Sequence, residues 1–156
     1  MNTFERLNTY FEEANKHIEL ILEVLSELTT PIKNYENLSK LEKFAINALI
    51  FRFSKLQDLV GAKIFRNYLE FNGFNTANIT FFDILKEIEK EGIIDIDSWM
   101  ELRELRNKIA HDYPQDLEDM LDSINLFIIK SKELIDISNK LEQKYNEVRR
   151  KRGSNN

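Results

Sequence analysis

Residues 39–71 read SKLEKFAINALIFRFSKLQDLVGAKIFRNYLEF, and this stretch decides the fold. It opens on Ser39-Lys40-Leu41-Glu42, a capping box in which a serine and a glutamate three residues on satisfy backbone N–H groups reciprocally. Between Phe44 and Phe71 the apolar residues, among them Phe44, Ile50, Phe51, Phe53, Val60, Phe65 and Leu69, point in nearly every direction. A helix apolar all round is either the centre of a bundle or shared between subunits. Gly73 and the Asn-rich run from Asn72 to Asn78 end it.

The flanking segments supply the helices that such a centre requires. From Asn2 to Leu28, the residues Phe4, Leu7, Phe11, Ala14, Ile18, Ile21, Leu25 and Leu28 are spaced three and four apart. That spacing puts one apolar stripe on a helix packed nearly parallel to a neighbour, and Thr29-Thr30-Pro31 stops it. A short helix is expected from Phe81 to Glu91, ending at Gly92. A fourth is expected to open at a second capping box, Ser98-Trp99-Met100-Glu101, and to end before Pro114. A fifth, long one starts near Gln115, with its stripe through Ile124, Phe127, Leu134, Leu141 and Tyr145 interrupted by Ser131 and Ser138. The expectation is an all-α, up-and-down bundle of four long helices plus one short one. It forms a single domain over 1–150, followed by a basic, polar tail at 151–156 expected to be disordered.

Composition agrees and narrows the chemistry. The 156 residues are 42% hydrophobic and 31% charged, with four glycines and two prolines, the balance of a helical globular domain. No cysteine occurs, so disulfides, thiolate catalysis and cysteine-based metal sites are excluded. The N-terminus lacks the basic-then-apolar order of a signal peptide, and no apolar run suffices to cross a bilayer. A cytoplasmic location is expected. The net charge of −5 argues against broad, non-specific nucleic-acid binding but not against a local phosphate site. Basic residues do cluster, at Arg52, Lys55, Lys63 and Arg66, at Arg103, Arg106 and Lys108, and at Arg149 to Arg152. Taken singly, each cluster reads first as solvated helix surface.

Gly-rich phosphate loops, zinc-binding His-Glu-x-x-His motifs and nucleophile elbows are absent. A bundle di-iron site needs two Glu-x-x-His motifs, whereas this chain has two histidines in all. Neither a metal nor a cofactor is expected. Glu13 and His17 share a face of the first helix, but one such pair makes no metal site. His17 reads as an ordinary surface or boundary histidine. His111 differs. At about 100° per residue, Trp99, Leu102, Leu105 and Ile109 fall on one arc that must face the core. Asn107 and His111 lie four apart on the opposite side, Arg103 leans toward them, and Arg106 flanks the core stripe. Met100 shares the outward face, which points to a covering element such as a second subunit.

The segment Leu105-Arg106-Asn107-Lys108-Ile109-Ala110-His111-Asp112-Tyr113 resembles the signature of the HEPN superfamily. More narrowly, Arg106-x4-His111-x-Tyr113 is similar to the motif of HepT-type toxins and of the related nucleotidyltransferase substrate-binding subunits. Ala48-Leu49-Ile50-Phe51-Arg52-Phe53, Gly92-Ile93-Ile94 and Trp99 are placed as in that family's layout.

The resemblance implies metal-independent RNA cleavage at a site shared by two subunits of a homodimer. Such cleavage must remove the 2′-hydroxyl proton, stabilise an anionic phosphorane and protonate the leaving 5′-oxygen. Histidine suits the proton transfers and arginine the phosphorane. His111 is thus the expected general acid or base and Arg106 the phosphate ligand. Asn107 and Asp112 are supporting candidates, and Arg103, Lys108 and Arg52 are possible RNA contacts. Arg52, Lys55, Gln57 and Asp58 on the second helix are possible accessory residues without a motif match. One plausible catalytic histidine per chain also favours a two-fold dimer that brings two together. The products would be a 2′,3′-cyclic phosphate and a 5′-hydroxyl. In HepT-type toxins the tyrosine of the motif is modified with AMP by a partner nucleotidyltransferase, the antitoxin, which makes Tyr113 a modification candidate. The alternative is a non-catalytic subunit of the same fold that presents substrate or docks a nucleotidyltransferase.

Overall fold

The computed structural model describes the backbone of residues 1–111 and 117–154, and the side chains of residues 1–108 and 119–153. Among these residues the chain is helical, without strands: α1 (Thr3–Ser26), α2 (Lys40–Leu59), a π-helical turn (Val60–Ile64), α3 (Phe65–Phe71), α4 (Phe81–Lys90), α5 (Ile96–His111) and α6 (Leu117–Ser154). The expected second helix is the continuous run α2–π–α3, so there are five helices in the sense of the sequence reading.

Their starts are chemically determined. Asn2, Ser39 and Thr80 each accept from the backbone N–H three residues on and receive the reciprocal carboxylate, making three capping boxes at Glu5, Glu42 and Asp83. The box expected at Ser98 does not form. Helix α5 begins earlier, at Ile96, and Ser98 lies within its first turn, donating from Oγ to Asp95 Oδ2 at 3.0 Å. Beyond α3, Gly73 takes φ 92°. It donates to the Glu70 carbonyl and Phe74 to that of Leu69, each at 3.0 Å, closing the helix as a Schellman motif.

Pairwise contacts give the directions. Arg6 bonds Asn67 and His17 approaches Arg52, so α1 runs antiparallel to α2–α3. Phe53 packs on Phe127 and Phe71 on Tyr145, so α6 runs parallel to α2–α3. Arg106 meets Asp58 and Trp99 meets Phe65, which sets α5 antiparallel to α2–α3. Lys130 meets Glu101 and Lys140 meets the Gly92 carbonyl, so α5 is antiparallel to α6 as well. The result is an up-and-down bundle with the short α4 between α3 and α5.

The core is the one the stripes define. Leu7, Phe11, Ala14, Ile18 and Ile21 of α1, Trp99, Leu102 and Leu105 of α5, and Phe127, Leu134, Leu141 and Tyr145 of α6 are all buried. Ser131 and Ser138 are buried within the α6 stripe, and Ser131 Oγ donates to the Phe127 carbonyl at 2.6 Å, which satisfies its hydroxyl inside the helix. The apolar residues of α2–α3 divide. Most are buried at the centre of the bundle, but Leu41, Phe44 and Phe51 remain exposed on its outer face. Met100, expected to face outward, instead packs partly buried against the core. The expected disordered tail is helical through Ser154, and Arg152 lies 4.1 Å from the Phe71 ring centroid.

Candidate functional site

The π turn packs against α5 at a contact that bears on the site. A Cβ on Gly61 would sit 2.9 Å from Trp99 Cζ2, so the backbone of the turn rests directly on the indole. The absence of a side chain at Gly61 lets α5 lie against α2 at this level. π turns recur at functional positions because their extra residue re-aims the side chains around them.

A cleft of about 300 Å³ opens beside that contact. One wall is Gln57, Asp58, Gly61 and Ala62; the other is Arg103, Arg106 and Asn107, with Phe81 from the start of α4 at its end. Arg106 Nη2 donates to Asp58 Oδ2 at 3.0 Å. Arg106 Nε is buried and has no hydrogen-bond partner among the described residues. The Arg103 guanidinium lies over the Phe81 ring, 5.2 Å from its centroid. A second groove, of about 390 Å³, runs along the outer face of α2 past Asn47, Phe51, Ser54 and Lys55 to the same Asp58 and Arg106. The Arg106–Asp58 pair therefore stands between two recesses. Both side chains are partly exposed, 30% and 52%, so the pair contributes little stability, about 0–1 kcal/mol.

The expected site residues divide accordingly. Arg103, Arg106 and Asn107 come together in the cleft, joined by Gln57 and Asp58. Lys108 is exposed and does not line it. Arg52 lies toward α1, where its Nη1 is 3.3 Å from His17 Nδ1. The α5 backbone extends through His111, so position 111 stands one turn beyond Asn107, about 6 Å along the axis. The His111 side chain, Asp112 and Tyr113 lie outside the described residues.

His17 is buried, at 8% exposure, deeper than the surface or boundary position expected of it. Arginine can only donate, so Nδ1 of His17 is the acceptor and the ring is the neutral Nε2–H tautomer, with Nε2 3.9 Å from Glu13 Oε1. Burial and the Arg52 cation lower the His17 pKa below its ordinary value, with Glu13 partly opposing them. The consequence for stability is directional. Above the unfolded-state pKa of about 6.5 both states carry a neutral ring. As the pH falls below it the unfolded chain takes up a proton first, and stability is lost down to the lower folded-state pKa. The thermal midpoint of wild type should thus fall more steeply from pH 7 to pH 5 than that of His17→Gln. Parallel profiles in scanning calorimetry would contradict this.

Gly61 carries the signal that sequence reading passed over: a single glycine inside a long helix marks a packing constraint, here the close approach of Trp99. Among the described residues no helix is long and apolar enough to cross a membrane. No protein-family model, curated protein or solved structure matches the chain.

Proposed function

We propose that this chain is a metal-independent endoribonuclease of the HEPN type, the toxin half of a toxin–antitoxin pair whose antitoxin is a nucleotidyltransferase. The observation that carries the reading is the convergence of Arg103, Arg106 and Asn107 on one cleft of α5, one turn before His111. The Arg106 guanidinium sits at the boundary of two recesses, where a backbone phosphate passing between them would meet it.

In the proposed reaction His111 removes the proton of a ribose 2′-hydroxyl. The 2′-oxygen attacks the adjacent phosphorus, and Arg106 stabilises the negative charge gathered on the phosphorane. The P–O5′ bond breaks as a second imidazolium, the His111 of another copy, protonates the leaving oxygen. The products are a 2′,3′-cyclic phosphate and a 5′-hydroxyl. AMP attached to Tyr113, two residues on, would close this site by bulk and charge.

The test is incubation of the purified protein with a mixed RNA pool in EDTA, with mapping of the product ends. Cyclic-phosphate ends that disappear in His111→Ala, a loss of about 10²–10⁴-fold, are the expected result. An unmodified wild type that cuts nothing would replace the nuclease with a subunit that presents substrate to, or docks, a nucleotidyltransferase.

Two histidines at one site require two chains, and the exposed Leu41, Phe44 and Phe51 on the outer face of α2 lead from the start of that helix to the groove at Arg106. Sedimentation is expected to give the mass of two chains for wild type and one for Phe44→Glu/Phe51→Glu, with cleavage lost alongside. A monomeric wild type that cuts RNA would remove the shared site.

A further inference from the structure

Charge is distributed unevenly along this acidic chain. Five of its 22 Lys and Arg but only one of its 27 Asp and Glu, Glu147, fall in residues 144–156, a charge of +4 there against −9 on the rest. Four of these cations follow one another at the end of α6, Arg149, Arg150, Lys151 and Arg152, and all four are exposed. At about 100° per residue they surround the helix. Arg149 lies 5.9 Å from the Phe4 ring centroid and 5.8 Å from that of Tyr145, and Arg152 packs on Phe71 and donates to its carbonyl at the end of α3. A stacked guanidinium is already ordered, so less freedom is lost when its fork meets an oxyanion. Arg150 and Lys151 project from the remaining side, Arg150 bonding the Asn146 carbonyl of its own helix. A helix C-terminus carries about −0.5 of a charge, which one cation offsets, and Glu147 offsets a second. The end of α6 holds more positive charge than its own stability requires.

We propose that this end of α6 is a second RNA-binding surface, which holds the phosphate backbone of a single strand away from the cleft. Phe71, on which Arg152 packs, lies 13 residues beyond Asp58 along α2–π–α3, about 20 Å along the axis. A strand that reaches both must be several nucleotides long. The acidic remainder of the chain repels a polyanion, so the basic end is where one is drawn in and oriented. Arginine, three of the four residues, suits phosphate through its planar fork, and Phe4, 40% exposed beside Arg149, offers a ring on which a base can stack. A membrane-binding helix needs an exposed apolar face next to its cations, whereas the exposed large apolar residues of α6, Leu126 and Ile129, lie about 30 Å back along it. The proposal rests on the reading that the cleft takes RNA, and it adds that the substrate is a long single strand held at two places.

Binding can be measured without cleavage on 2′-O-methyl oligomers, which lack the attacking hydroxyl. A dinucleotide and a strand of about 16 nucleotides would be titrated by fluorescence anisotropy at several salt concentrations. The proteins are the full chain as wild type, Arg150→Gln/Lys151→Gln, and a control that removes two exposed lysines elsewhere, Lys16→Gln/Lys33→Gln. In Arg150→Gln/Lys151→Gln the long strand should bind severalfold more weakly at low salt. The slope of log affinity against log salt should become shallower by about 1.4, from about 0.7 per phosphate contact. Dinucleotide binding should not change, and the control should match wild type. Should the double variant not fold, Lys151→Gln alone decides, with half the change in slope. Equal effects in the double variant and the control, or equal weakening of the dinucleotide, overturn the surface. Tighter binding to phosphatidylserine vesicles than to the long strand overturns it in favour of a membrane. The two readings fail separately. Cleavage with long-strand binding untouched by Arg150→Gln/Lys151→Gln leaves the nuclease standing and removes the surface, whereas the expected loss of binding in a protein that cuts nothing does the reverse.

Discussion

Arg106→Ala is expected to slow single-turnover RNA cleavage by about 10²–10³-fold, the range for removing a donor aimed at developing charge, without unfolding the protein. The stability half of that expectation follows from exposure. Arg106 and Asp58 are 30% and 52% exposed in their side chains, and ion pairs of that kind contribute about 0–1 kcal/mol. Arg106→Lys should recover only part of the rate, because an ammonium cannot reproduce the planar fork that meets two phosphate oxygens. Asp58 sharpens the test. Its carboxylate occupies Nη2 of Arg106 at 3.0 Å, so an arriving phosphate must share or displace it. Asp58→Asn removes a negative charge from the wall of the cleft and should tighten RNA binding severalfold, with the gain largest at low salt. Rates within threefold of wild type for Arg106→Ala would remove the arginine from the chemistry. Weaker binding in Asp58→Asn would show instead that the carboxylate serves to orient it.

What could be read from the sequence tracks how local the determining physics is. The stripes of α1, α5 and α6 follow from helical periodicity, and Leu7, Phe11, Trp99, Leu102 and Phe127 are buried where the stripes put them. Capping boxes are contacts three residues long, and the one at Ser39 forms as read. The one at Ser98 does not, because Asp95 lies earlier and its carbonyl already accepts the first helical bond, from Trp99 N–H. The burial of His17 was hidden because its partner Arg52 is a long-range neighbour on another helix, and no spacing rule links them. Asp58 was visible only as an accessory candidate, since the pairing with Arg106 depends on how far α5 slides along α2. That Arg52, a possible RNA contact, lies beside His17 of α1 was hidden for the same reason: a run of basic residues on one helix does not say which neighbour each will face.

The second large effect concerns the contact that seats α5. Trp99 is fully buried, packs 4.7 Å from the Phe65 ring, and bears the backbone of the π turn. Trp99→Ala should cost about 3–5 kcal/mol, the range for emptying a site of that size. Gly61→Ala is the more diagnostic change. In an ordinary helix interior alanine would stabilise by about 0.5–1 kcal/mol, but here its Cβ would lie 2.9 Å from Trp99 Cζ2, and overpacking of this kind costs about 1–3 kcal/mol. Steric cost therefore outweighs propensity, and chemical denaturation should show a net loss. The conflict is with the six-membered ring of the indole, whose Cζ2, Cη2 and Cε2 are the nearest atoms. Trp99→Phe takes those atoms away, and it also removes the indole Nε1–H, which is buried without a partner among the described residues. In the Trp99→Phe background Gly61→Ala should then turn neutral or stabilising, a coupling of about 1–3 kcal/mol between the two sites. Additive losses would mean that the alanine is resisted by the π turn itself and not by the indole. In that case the cleft wall formed by Gln57, Asp58 and Gly61 would owe its shape to the local backbone, and should survive changes at Trp99 that leave the fold intact.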